Sequence, residues 1–105
     1  MMRFHHVGIP TKKKRPGEAH LEGAKLYVTD ASANPYQIEW LRFEPGSSLP
    51  KQLKTQPHVA FEVDDLGAAM KGKQVLIEPF SPMPGLRVGF VIEDDALIEF
   101  MQKTQ

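Results

Sequence analysis

Two histidines and two glutamates stand in matching contexts along this 105-residue chain. His6 opens the segment His-Val-Gly-Ile, and His58 opens the segment His-Val-Ala-Phe. Each is followed later by an Ile-Glu-aromatic segment, which contains Glu39 in the first half and Glu99 in the second. Imidazole is a good ligand for Zn, Ni, Cu and Fe(II), and carboxylates admit Mn and Co as well. The four side chains are therefore a candidate site for one divalent metal ion, whose identity the sequence leaves open.

An ion in such a site would have chemistry to perform, because four protein ligands leave positions for water or substrate oxygens. It would polarise a substrate carbonyl, while Glu39 or Glu99 served as the base that removes a proton. Each of the four residues taken singly is more simply explained as a polar side chain on the solvent side of a strand. Their recurrence in the same order in both halves favours the metal site.

Side-chain alternation places the four residues on one face of a sheet, because successive strand residues point to opposite sides. Gly8 and Ala60 lie two positions after the histidines, and these small residues leave room for a bound molecule. The alternating positions are apolar in all four strands and predict the side that faces the core. That predicted core set is Val7, Ile9, Ile38, Trp40, Val59, Phe61, Val63, Ile98 and Phe100.

The remaining histidines and one arginine are predicted to lie outside the site. Alternation puts His5 on the apolar face, whereas His6 shares its face with Phe4. His20 lies in an irregular segment and is expected on the surface. Arg87 could steer an anionic substrate, but its place at the start of a late strand favours a solvated position.

The elements that must position these residues are mostly strands. Runs of β-branched and aromatic residues bounded by Pro, Gly and Asn predict strands over residues 4–9, 25–30, 36–43, 58–63, 75–78, 88–93 and 96–101. Residues 46–57 and 79–85 are predicted to be loops because they are rich in Pro and Gly. Residues 64–72 predict one helix, which Asp64 or Asp65 caps and Gly72 ends. This order predicts an α+β fold with a mixed or antiparallel sheet.

Residues 11–24 occupy the position of that helix in the first half, yet they carry no apolar stripe. Pro16 and Gly17 break any long helix there. The His-to-Glu spacing is also shorter in the first half, by about the length of a short helix. The basic run 12–15 is interpreted as a solvated loop and not as a nucleic-acid patch, because no aromatic residues are interleaved with it.

Composition narrows the class of protein further. The 13 basic and 13 acidic residues balance, which argues against nucleic-acid and anionic-membrane partners. The absence of cysteine excludes disulfides, cysteine-ligated zinc and a thiol nucleophile. With no membrane-length apolar stretch and no leader pattern, we expect a cytoplasmic protein. We expect a single domain over residues 1–105, with module one at about 1–46 and module two at about 57–103.

Three segments resemble the motifs of the vicinal-oxygen-chelate superfamily: residues 6–9 (HVGI), residues 57–65 (PHVAFEVDD) and residues 85–100 (GLRVGFVIEDDALIEF). That superfamily includes glyoxalase I, methylmalonyl-CoA epimerase, extradiol dioxygenases and the fosfomycin and bleomycin resistance proteins. The resemblance implies paired βαβββ modules that form a cupped mixed sheet around a metal, here with the first-module helix shortened or missing. The turn at 94–96 departs from the family's usual acidic-Gly turn.

The resemblance also implies a site and an activity. His6, Glu39, His58 and Glu99 would be the metal ligands, with Glu99 and Glu39 as the catalytic residues. The implied enzyme is a glyoxalase-like lyase, isomerase or epimerase that acts on a small carbonyl or vicinal-oxygen substrate by metal-assisted proton transfer. A small-ligand or antibiotic-binding protein without catalysis and an Fe(II) dioxygenase-like site stay open as alternatives. We expect a homodimer, because a short paired-module sheet has edges to protect.

Overall fold

The computed structural model describes residues 1–104, which form an eight-stranded mixed sheet with two short helices. The strands are β1 (Met2–Pro10), β2 (Ala19–Leu21), β3 (Leu26–Val28), β4 (Ile38–Phe43), β5 (His58–Val63), β6 (Gln74–Met83), β7 (Leu86–Glu93) and β8 (Ala96–Lys103). The helices are α1 (Lys51–Thr55) and α2 (Leu66–Met70), and 3-10 turns cover Glu22–Ala24 and Ala31–Ala33. No helix in the described part of the chain is long and apolar enough to cross a membrane.

The strand order β2-β3-β4-β1-β5-β8-β7-β6 is the same when read outward from the centre in either half. The central strands β1 and β5 are antiparallel. Each has a parallel partner, β4 for β1 and β8 for β5, and the outer strands of each half are antiparallel. The sheet curls into a cup, and the predicted paired-module α+β fold is confirmed.

The single predicted helix forms where the sequence placed it. The side chain of Asp65 accepts a hydrogen bond from the backbone N–H of Ala68, and Gly72 follows the helix with a φ of +77°. The buried side chains of Leu66 and Met70 hold α2 against the sheet. Residues 11–18 of the first half form no helix, as expected from the missing stripe, but residues 19–24, which were expected to be irregular, form β2 and a 3-10 turn.

The prediction of the core-facing side was wrong over much of the sheet. A buried apolar cluster shares the concave face with the histidines, and it includes Ala60, Val88 and Leu97. On the convex face Val59 is 37% exposed, and the predicted core residues of β1 and β4 are only half-buried. The reason is curvature: the concave face fills with converging side chains, whereas the convex face is buried only where α2 covers it, at residues such as Val63 and Phe100.

A β-bulge in β1 changes the predicted alternation at its start. The pairing with β5 shifts between Phe4 and His6, so that Phe4 lies opposite Phe61 and His6 lies opposite Ala60. Phe4 is therefore on the convex face, where its ring meets that of Phe61 edge-to-face at 6.4 Å between centroids. The expectation that Phe4 shares a face with His6 was wrong.

Both predicted loops contain regular structure. Within residues 46–57 the helix α1 buries Leu53 in the concave core cluster. Strand β6 continues through Pro79 and Pro82 to Met83, with several register shifts against β7. Proline is tolerated there because β6 is the last strand of the sheet and its free edge needs no N–H donors.

Candidate metal centre

The two central strands and their parallel partners bring the four predicted residues together. His6 on β1 lies opposite Ala60 of β5, and His58 on β5 lies opposite Gly8 of β1. The same two small residues also pair with the glutamates: Gly8 lies opposite Glu39 of β4, and Ala60 lies opposite Glu99 of β8. Each half thus contributes one histidine and one glutamate to the centre of the concave face.

Gly8 is required by this arrangement. A Cβ atom built on Gly8 would lie 2.1 Å from Cε1 of His58, which is far inside van der Waals contact. The imidazole of His58 therefore packs directly on the backbone of β1. Gly8, two positions after His6, thus makes room for the imidazole of His58.

The ligand-type atoms lie within a few ångströms of each other. Nε2 of His6 is 3.3 Å from Oε1 of Glu39 and 3.4 Å from Oε1 of Glu99. Nε2 of His58 is 3.0 Å from the same Glu99 oxygen. One ligand atom from each of His6, Glu39 and His58 lies within 4.8 Å of the other two. The buried His-Glu-His group could hold a divalent metal ion, with Glu99 beside both imidazoles.

An unsatisfied nitrogen supports that interpretation. Both histidines are 1% exposed, and Nε2 of His6 has no partner with hydrogen-bond geometry although two carboxylates are close to it. Its contacts with the two carboxylates are long ion pairs, at 3.3 and 3.4 Å, and not well-formed hydrogen bonds. A cation between His6, Glu39 and Glu99 would satisfy this nitrogen and both carboxylates, so the residues present fit a metal ion.

Without a metal ion, the imidazole of His6 holds a proton between the carboxylates of Glu39 and Glu99. Burial lowers the pKa of His6, but the nearby Glu39 and Glu99 outweigh it and raise the pKa from 6.5 to about 9. Burial raises the pKa of Glu99, but its contacts with His58 and His6 outweigh it and lower the pKa from 4.5 to about 2. At neutral pH His6 is cationic and Glu99 is ionised, and a metal ion would take the place of the proton.

His5, predicted to be a bystander, contacts the site. Its Nδ1 lies 2.8 Å from Nδ1 of His6, and the two rings meet edge-to-face. A ligating histidine usually has a partner for its second ring nitrogen, and His5 supplies one for His6. Alternation could not reveal this contact, because it arises at the bulge in β1.

The four residues line an inner cavity of ≈ 90 Å³ whose other lining side chains are all apolar, among them Leu41, Val88 and Phe90. An outer cavity of ≈ 590 Å³ shares part of this wall. The lining residues common to both cavities are Leu21, Ala24, Leu49, Phe80 and Pro82. A further cavity, of ≈ 800 Å³, lies on the convex face beside α2, and no histidine lines it. The chemistry is therefore concentrated in the concave pair of cavities.

The other residues considered from the sequence lie elsewhere. His20 stacks on Tyr27 and places Nε2 2.8 Å from Oε1 of Glu44, outside both concave cavities. Arg87 is exposed and lies opposite Gln102, whose side-chain oxygen accepts the backbone N–H of Leu66 on the convex side. Arg87 therefore points away from the site, as expected.

Neither a protein-family profile nor a curated protein sequence matches this chain. Solved structures do match. The hypothetical protein BH1468 from Bacillus halodurans C-125 has a TM-score of 0.70 at 18% identity, covering 99% of this chain and 96% of that one. Methylmalonyl-CoA epimerase from Mycobacterium tuberculosis has a TM-score of 0.65 at 18% identity, covering 98% of this chain and 89% of that one. This chain therefore has a vicinal-oxygen-chelate-like fold.

Proposed function

We propose that this protein is a metal-dependent enzyme of the glyoxalase type, which moves a proton next to the carbonyl of a small substrate. One observation carries the proposal: two histidines and two glutamates converge in the wall of an otherwise apolar cavity, with Nε2 of His6 between the two carboxylates. Buried ionisable groups are either paired with each other or coordinate a metal ion, and a set of two imidazoles and two carboxylates is suited to both.

His6, Glu39, His58 and Glu99 would hold the ion, which when bound would polarise a substrate carbonyl and acidify the adjacent C–H. The two carboxylates differ in how firmly they are held. Glu99 contacts both imidazoles and its side chain is 9% exposed, whereas Glu39 contacts His6 alone and its side chain is 23% exposed. We assign the first proton transfer to Glu39, because it has the freer carboxylate and faces the cavity.

Epimerisation is the reaction that the pair of carboxylates fits best. Glu39 and Glu99 occupy equivalent register positions in the two halves and flank Nε2 of His6. An epimerase that uses two groups removes a proton from one face of a carbon with the first and returns a proton to the other face with the second, and the two carboxylates could take these roles. The structural similarity to methylmalonyl-CoA epimerase supports this choice over lyase and other isomerase chemistry.

The test is elemental analysis of the purified protein, followed by thermal unfolding with Ni, Zn, Mn, Co and Fe(II) added one at a time. We expect bound divalent metal and a raised midpoint, both lost together with activity in Glu99→Ala. The matched control is Glu44→Ala, which removes a glutamate that contacts a histidine outside the cavities. A metal-free protein whose midpoint ignores all five ions would overturn the proposal.

A second candidate is a small-ligand binding protein that performs no reaction. The apolar wall of the inner cavity favours it, since such a wall can bind a ligand without reacting with it. It predicts stabilisation by a ligand without turnover of that ligand. Product formation with any stabilising ligand would decide for the enzyme.

A further inference from the structure

We infer that the substrate of this site is a small uncharged molecule, largely apolar apart from a vicinal pair of oxygens, and not a carboxylate or phosphate ester. The inference rests on the proposed function and narrows its substrate class. It is carried by the charges around the two concave cavities: among residues 1–104, no lysine or arginine lines either one.

The lining itself contains little that could recognise an anion. Apart from the four candidate ligands, every side chain of the inner cavity is apolar. The outer cavity adds the hydroxyls of Ser48 and Ser81, and its one charged lining residue in the described chain is Glu78. A negative charge entering this space would lose its hydration, gain no cation and meet the carboxylate of Glu78.

The nearby cations are engaged elsewhere. The ammonium group of Lys54 donates a hydrogen bond to the backbone oxygen of Ser47. The guanidinium of Arg42 forms a two-point ion pair with Glu18, at 2.9 and 2.6 Å. Arg87 faces the convex side. These three cations therefore supply no positive charge to the walls of the two cavities.

A loaded metal centre would not supply the missing attraction. Two neutral imidazoles and the two carboxylates of Glu39 and Glu99 balance the charge of a divalent ion, so the centre as a whole is neutral. Methylmalonyl-CoA carries a carboxylate and phosphates, so this inference separates the substrate of this chain from that of the structurally similar epimerase.

The sizes of the cavities agree with a small reacting end. The inner cavity of ≈ 90 Å³ accommodates a few non-hydrogen atoms beside the candidate ligands. The outer cavity of ≈ 590 Å³ is in the usual range for the body of a small ligand. We therefore place the oxygen pair in the inner cavity and an apolar remainder between Leu21, Leu49 and Phe80.

The test compares lactamide with lactate, which have nearly the same shape and differ in charge. Both are titrated into the Mn²⁺-loaded full chain, and binding is measured by water proton relaxation. The reference is the affinity of each compound for free Mn²⁺ in the same buffer. We expect the lactate-to-lactamide affinity ratio to be at least about 10-fold lower on the protein than on free Mn²⁺.

A charge-introducing variant sharpens the test. Met83 lines the inner cavity and is 46% exposed, so Met83→Lys places a cation at its wall without burying it. We expect this variant to raise lactate affinity about 10-fold and to leave lactamide affinity unchanged. The matched control, Val75→Lys, lies on the same strand, is 38% exposed and lines neither concave cavity.

The outcomes separate the two proposals. A lactate-to-lactamide ratio on the protein equal to or above that of free Mn²⁺ would overturn the neutral-substrate inference while the metal site stands. An equal gain of lactate affinity in Met83→Lys and Val75→Lys would do the same. If Mn²⁺ and the other ions fail to bind, the proposed function and this inference fall together.

Discussion

The two halves of the sheet are built alike and covered differently. In the second half, α2 packs Leu66 and Met70 onto the convex face. In the first half, the loop 11–18 takes the place of a helix and covers the face with polar contacts. The guanidinium of Arg15 lies 3.9 Å from the centre of the Trp40 ring, and a neighbouring ion pair joins this loop to β4.

This difference shows what positions the candidate site. Glu39 and Glu99 have equivalent registers, opposite Gly8 and Ala60, although only one half carries a helix. The strand pairing within the sheet, and not the convex cover, therefore sets where the four side chains lie. The convex cover contributes to stability, and where α2 does not reach, apolar residues such as Val59 on β5 are left partly in solvent.

The largest effect that we predict concerns His6, whose charge links the glutamates of the two halves. The pKa of His6 is 6.5 in the unfolded chain and about 9 in the metal-free fold. Protonated His6 therefore stabilises the fold fully below pH 6.5, and this stabilisation is lost as the pH rises through about 9. The expected loss is about 3 kcal/mol, measured by urea unfolding with a chelator present. In His6→Gln the free energy of unfolding should no longer fall at alkaline pH, whereas in the control His20→Gln it should fall as in the wild type. An unchanged profile in His6→Gln would contradict the linkage between the halves.

Gly8→Ala should disrupt the contact between β1 of the first half and the His58 ring of the second half. The added methyl would overlap the ring of His58, so we expect destabilisation of about 2–3 kcal/mol and a roughly 100-fold loss of metal affinity. Urea unfolding and metal titration measure the two effects. The control is Gly23→Ala, where nothing lies within 4 Å of the new methyl. Wild-type metal affinity in Gly8→Ala would show that His58 is not held by β1.

Two valines on β5 allow the stabilising effect of the convex cover to be measured directly, because only one of them lies beneath α2. Val63 lies beneath α2 and is 7% exposed, whereas Val59 lies on the same face beyond the helix and is 37% exposed. We expect Val63→Ala to lower the free energy of unfolding by about 2 kcal/mol and Val59→Ala by less than about 1 kcal/mol. Equal losses in urea unfolding would mean that Val59 is covered in solution.

The smallest predicted effect concerns the loop that replaces the helix. Arg15→Ala removes the cation from the Trp40 ring and should cost about 0.5–1 kcal/mol. Because Trp40 is the only tryptophan of the chain, its fluorescence should also change. Lys13→Ala, an exposed position in the same loop, should leave both the stability and the emission unchanged. Identical behaviour of the two variants would show that the loop does not cover the sheet.

Much of the architecture was predictable because its signals are local. The cap at Asp65, the missing stripe in residues 11–24 and the recurrence of His and Glu at equivalent points follow from residue type and spacing alone. The helix α1 carried too weak a signal, since Leu53 is its one buried apolar residue. Strand β6 was hidden by its prolines, which only an edge position permits.

The sequence by itself determined the repeated pattern and the identity of the four residues that could bind a metal. Tertiary structure alone decided which face is buried, because the burial of a strand face depends on how the whole sheet curls. It also decided the contact between His5 and His6, which depends on a bulge set by pairing with another strand. The placement of the cations away from the cavities was decided in the same way, because ion pairs such as that of Arg42 with Glu18 join residues far apart in the chain.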